Sequence, residues 1–151
     1  KVDLDGADCD AAFAFLSSVP AKLVVLEVFD GLPPPLRFAL HEHEELASWG
    51  KLPVWGCSLS YQVRMLTLLR YNLIWYAAGN AIYVHKSVAP QLGLFRLDEV
   101  DCYVKTVVMA MWPSGRRMRR WFYEDSLNET LVDARRSVER YLKGRPYTLK
   151  V

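Results

Sequence analysis

VKTVVMAMW (104–112), PSGRR (113–117) and MRRWFY (118–123), followed by SLNETLVDARRSVERYLK (126–143), is the stretch on which the fold reading turns. Two apolar runs rich in β-branched and aromatic residues, joined by a Pro-Ser-Gly turn, predict an antiparallel hairpin. The helix behind it is the clearest element of the sequence. Leu127, Leu131, Ala134, Val138, Tyr141 and Leu142 recur at steps of three and four, Ser126 and Glu129 have the spacing of a capping box, and Gly144 with Pro146 ends the run. A hairpin feeding one closing helix describes a capped β-fold, an architecture that suits recognition better than catalysis.

Outward from this stretch the chain reads as more strands. Segments 62–70, 72–77, 81–86, 92–97 and 101–112 are short and apolar, and Gly, Asn and Pro separate them. Further upstream, 22–29 and 36–43 flank Asp30-Gly31 and Pro33-Pro34-Pro35 and predict a hairpin with a rigid tip. Asp10 is placed to cap a short helix over 11–18 that Pro20 stops, and Asp3, Asp5, Asp8 and Asp10 read as a solvated or capping lead-in. The expected fold is mainly β with α: an antiparallel β-sandwich or partly open barrel of about seven strands, capped by a C-terminal α-helix and carrying an extra N-terminal hairpin or extension.

The order of elements resembles a pleckstrin homology (PH) domain. RYNLIWYAAGNAIYVHKS (70–87) resembles its second and third strands, LGLFRLDEV (92–100) its fourth-strand stretch, and RRWFYEDS (119–126) its last strand running into the helix. The resemblance covers 53–143 and implies a single PH-like domain over 22–145, with 1–21 as an N-terminal extension and 146–151 as a tail. In lipid-binding members a Lys and an Arg precede the aromatic of the second strand. Here Arg70 precedes Tyr71, Leu68 and Leu69 stand where the other cation is expected, and the helix has Leu131 or Val132 in place of the family's Trp.

Composition bounds the rest. A chain of 151 residues, 52% apolar, supports one core, and 19 basic against 17 acidic residues give a net charge of +2 and no global field for nucleic acid or acidic membranes. Cys9, Cys57 and Cys102 are few and widely spaced, which predicts buried reduced thiols and a cytosolic or nuclear compartment; the PH-like interaction role adds the expectation of a cytoplasmic protein peripheral at a membrane or cytoskeletal structure. The chain starts at Lys1 without a leader pattern and reads as an excised domain. Polar residues interrupt the longest apolar stretch, 65–84, which argues against a membrane span.

The candidate contact residues are cationic. Arg116, Arg117, Arg119 and Arg120, flanked by Trp121, form the densest basic cluster, and Arg64, Arg70 and Lys86 add to it if the strands converge. An acidic lipid surface is an alternative partner for such a cluster, each basic residue contributing on the order of 1 kcal/mol there. Nucleic acid is disfavoured for want of a broad basic face. His41 and His43, with Glu45 nearby, are weak metal candidates, since two imidazoles and one carboxylate leave a structural zinc site incomplete. No phosphate loop, nucleophile elbow or Cys-His motif is present, so neither a cofactor nor catalysis is expected.

The expected function is a non-enzymatic protein-interaction or scaffolding module. The alternative is a membrane-targeting domain that contacts acidic phospholipids through the arginine cluster. An unpaired strand edge also allows a homodimer.

Overall fold

A computed structural model describes residues 1–4, 6–41, 54–77, 79–108, 120–121 and 123–151. Two separate antiparallel sheets organise them, so the expected seven-strand sandwich or barrel is not formed. The first sheet has the order β1 (Leu23–Glu27), β4 (Asn80–His85), β3 (Tyr71–Ala77); the second pairs β2 (Arg37–Leu40) with β5 (Tyr147–Lys150). Four α-helices accompany these five strands among the described residues: α1 (Asp8–Ser18), α2 (Leu59–Leu68), α3 (Glu99–Tyr103) and α4 (Leu127–Leu142).

The β3–β4 hairpin forms where the sequence places it, with Gly79 at φ +71° supplying the left-handed turn residue. The N-terminal hairpin does not form. β1 pairs with β4 and β2 with β5, because Pro33, Pro34 and Pro35 between them have no amide to donate to a ladder. Segment 146–151, expected as a tail, supplies β5, whose Leu149 lies opposite Phe38 and is buried with it.

Three expected strands are helical or irregular. Of segment 62–70, residues 62–68 belong to α2, because Leu59, Gln62, Val63 and Leu66 are buried at helical spacing and the Ser58 hydroxyl caps the first turn. Arg70, at φ +66°, then turns the chain directly into β3. Segment 101–112 starts as α3, whose N-cap Asp98 accepts from the amides of Val100 and Asp101, and continues as a π-helical turn over Val104–Val108. Segment 92–97 begins on the last residue of a 3-10 turn (Ala89–Leu92) and continues as irregular chain, from which the Leu97 amide reaches β3 at the Leu73 carbonyl. The hairpin that decided the sequence reading is therefore not seen in its described part: its first run is helical at 104–108, and Arg120, Trp121 and Tyr123 are helical too. Residues 109–119 lie outside the described residues.

The closing helix agrees with its sequence in cap and length. Ser126 and Glu129 form the reciprocal capping box, and Lys143, at φ +49°, ends α4. Its buried stripe is Thr130, Ala134, Val138 and Leu142; of the residues expected there, Leu131 is half-buried and Leu127 and Tyr141 are exposed.

Residues 1–21 are part of the core assembly. The Val2 amide donates to the Val25 carbonyl, and Cys9, Ala12 and Leu16 of α1 are buried. The Asp10 cap is replaced by another device: α1 has no side-chain cap, and the buried Asp8 carboxylate accepts from the amides of Leu4 and Gly6. The expectation of three reduced thiols also fails. Cys9 and Cys57 form a disulfide with Cα atoms 6.2 Å apart, and Cys102 keeps a free thiol whose pKa burial raises. Among the described residues no helix is long and apolar enough to cross a membrane.

The core between α2, α3 and the first sheet contains tyrosines held protonated. Tyr83 donates to Gln62 Oε1 at 3.1 Å, Tyr103 donates to the Asp30 carbonyl, and Tyr76 stacks on Tyr103. Burial pushes all three phenols well above their usual value near 10. Above that pH the folded state binds more protons than the unfolded chain, so stability falls as pH rises. Cooperative alkaline unfolding is expected, with buried-tyrosine ionisation and loss of far-UV dichroism in one step. Tyrosinate absorbance that completes before the dichroism changes would contradict this.

Candidate functional site

The second sheet carries an electrostatic oddity. Arg37 of β2 and Lys150 of β5 are direct cross-strand partners, and like charges so placed repel each other. Both side chains line a cleft of about 330 Å³ between this sheet, α1 and α2. α2 contributes Tyr61, Arg64, Met65 and Leu68, whose steps of three and four bring them to one face, and α1 contributes Asp10 and Phe13. Asp10 is the one acid in that lining.

Asp10 is already engaged. His41 Nδ1 lies 2.8 Å from Asp10 Oδ2, and its Nε2 lies 2.8 Å from Thr148 Oγ1, so the imidazole ties α1 to β5 along the cleft edge. Acid, imidazole and hydroxyl come in the order of a hydrolytic relay, in which the acid is buried behind the imidazole. Here the Asp10 side chain is 31% exposed and itself faces the cleft, and the chain of groups acts as a brace. The Tyr61 hydroxyl keeps its proton more tightly than usual, because of burial and then the Asp10 charge, and remains available as a donor.

A second hollow of about 370 Å³ adjoins the first and shares Arg37 and Arg64 with it. Arg96 and Glu99 line its far side, where Glu99 accepts a hydrogen bond from Ser60. Arg37, Arg64, Arg96 and Lys150 have no ion-pair partner among the described residues. The two hollows form one groove lined by four cations, Arg37, Arg64, Arg96 and Lys150, and two acids, Asp10 and Glu99, with Phe13, Met65 and Leu68 as apolar wall at one end.

Of the residues expected from the sequence, Arg64 lies in this groove. Arg70 and Lys86 meet elsewhere, at one end of β3 and β4, where the Lys86 amide donates to the Arg70 carbonyl. Arg120 is turned inward on its own neighbours, 3.0 Å from both Asp125 and Asp133, and Trp121 is 5% exposed with its indole N–H on Asp133. Arg116, Arg117, Arg119 and His43 lie outside the described residues. Both ring nitrogens of His41 face protein partners, and no group of three metal-ligating side chains occurs among the described residues.

The sequence reading missed Arg37, Arg96 and Lys150. The available signal was Arg37 as a lone cation inside an otherwise apolar strand (LRFAL, 36–40); Lys150 was hidden in the segment read as a tail.

No family model, curated protein or solved structure matches the chain. The PH resemblance therefore rests on the quoted segments, and the two-sheet topology departs from the architecture it implies.

Proposed function

We propose that this chain is a recognition module that binds an acidic, extended segment of a partner protein in the groove between α1, α2 and the β2–β5 sheet. The observation that carries this reading is the Arg37–Lys150 cross-strand pair in one cleft lining with Arg64, three cations against the single carboxylate of Asp10. A fold that sets cations against one another at an open cleft gains from an anion that joins them. Two adjoining hollows that share Arg37 and Arg64 favour a chain segment over a small ion.

Fluorescence anisotropy with labelled peptides that alternate Asp or Glu with apolar residues tests this. Binding is expected to weaken with salt, to be lost in Arg37→Glu with Arg64→Glu, and to survive Arg116→Glu with Arg117→Glu. The opposite pattern, or sedimentation with acidic liposomes that only the second pair abolishes, would move the site to the basic segment and restore the membrane reading.

On compartment, the ground for a cytoplasmic placement was reduced thiols. A buried, bonded Cys9–Cys57 pair favours an oxidising compartment instead.

A further inference from the structure

We infer that the cleft under Arg37, Arg64 and Lys150 takes the phosphate monoester of a phosphotyrosine side chain of the bound segment. This rests on the groove being the binding site.

Charge separates phosphate from carboxylate here. The cleft lining sets three cations, Arg37, Arg64 and Lys150, against one carboxylate, that of Asp10, which is hydrogen-bonded to His41. One carboxylate carries a single charge and leaves most of the repulsion between Arg37 and Lys150 in place. A phosphate monoester carries about −1.5 to −2 at neutral pH and three acceptor oxygens, enough to engage both strand cations and Arg64 together. Two guanidinium groups can each present paired N–H donors to such oxygens, the geometry by which arginine favours phosphate. Tyr61 lines the same cleft and keeps its hydroxyl proton as a neutral donor.

Size and wall chemistry describe what carries the phosphate. The cleft volume of about 330 Å³ is near the lower end of small-ligand pockets, roughly 300–1,000 Å³, and suits one modified side chain. Phe13, Met65 and Leu68 offer it an apolar surface, Phe13 and Leu68 being exposed for want of a covering group. From there the segment continues past Arg37 and Arg64 into the second hollow towards Arg96. Recognition of phosphorylated segments by arginine clusters uses the same chemistry.

Isothermal titration of the whole chain tests the assignment, with phenyl phosphate, benzoate, and one short acidic peptide with and without a central phosphotyrosine. The phosphopeptide is expected to bind at least about tenfold tighter than its unmodified twin, phenyl phosphate to compete with it, and benzoate not to compete. Arg37→Gln and Lys150→Gln are each expected to weaken phosphopeptide binding about tenfold. Neither should lower the melting temperature, because each relieves a like-charge contact. Lys150 is exposed, so its variant keeps the test readable if Arg37→Gln folds poorly.

Equal affinity for the two peptides, with both lost on groove charge reversal, overturns the phosphate assignment and leaves the acidic-segment reading standing. Failure of both peptides to bind overturns both. Phenyl phosphate binding unchanged in Arg37→Gln places the anion elsewhere and overturns the assignment. So does groove-dependent binding to vesicles of phosphatidylcholine with phosphatidic acid when the phosphopeptide fails.

Discussion

Complete reduction of the Cys9–Cys57 disulfide, or the pair Cys9→Ala with Cys57→Ala, is expected to lower the melting temperature by roughly 8–16 °C. The bond closes a loop with a sequence separation of 48, and on the chain-entropy view such a loop contributes about 4 kcal/mol by restricting the unfolded chain. For a domain of this size each kcal/mol moves the midpoint by about 2–4 °C. The bridge also has a local task. It ties α1 to the segment that leads into α2, and these two helices form one wall of the cleft. Reduction should therefore weaken groove binding before it unfolds the core. Scanning calorimetry with and without reductant, with thiol content checked by mass, decides the matter. An unchanged midpoint in fully reduced protein would remove the clamp from the account. Protein from its own source, alkylated before lysis, should show one blocked thiol, at Cys102; three blocked thiols would return the chain to a reducing compartment.

Phe38→Ala is expected to cost about 3–5 kcal/mol, a large part of the roughly 5–15 kcal/mol that holds a domain together. The Phe38 ring is fully buried and lies 5.6 Å from Phe29 and 6.3 Å from Tyr147, centroid to centroid. Its backbone is held on the other side: its amide donates to Ser58 Oγ and its carbonyl accepts from the Ser58 amide, both at 2.9 Å. Losing the ring opens a cavity where β2, β5 and the α2 cap meet. Urea denaturation measures the cost, and Phe38→Leu, which keeps most of the volume, should retain most of the stability. A loss below about 1 kcal/mol for the alanine variant would show that this junction is not the packed centre its burial suggests.

What could be read from the sequence was what a single local signal decides. The capping box of Ser126 and Glu129, the stop after Leu142 and the hairpin at Gly79 each depend on neighbouring residues and appear as expected. Segments 62–70 and 104–108 were misread because dense apolar runs fit a strand and a buried helix alike. The deciding features lay just upstream, in the hydroxyl of Ser58 and the carboxylate of Asp98 as caps. The groove was hidden for a different reason. Arg37 and Lys150 become partners only through β2–β5 pairing, a contact between distant parts of the chain that no periodicity reveals. The disulfide was hidden likewise, since spacing does not say which of three cysteines meet.

β5 meets β2 over four residue pairs, near the short end of strand lengths in globular proteins. Because it carries Lys150 and the hydroxyl that His41 grips, any unzipping of β5 dismantles ligand site and brace together. Occupancy and strand closure are then coupled: a bound anion holds β5 against β2, and the apparent affinity is the closed-state affinity multiplied by the fraction of molecules in which β5 is paired.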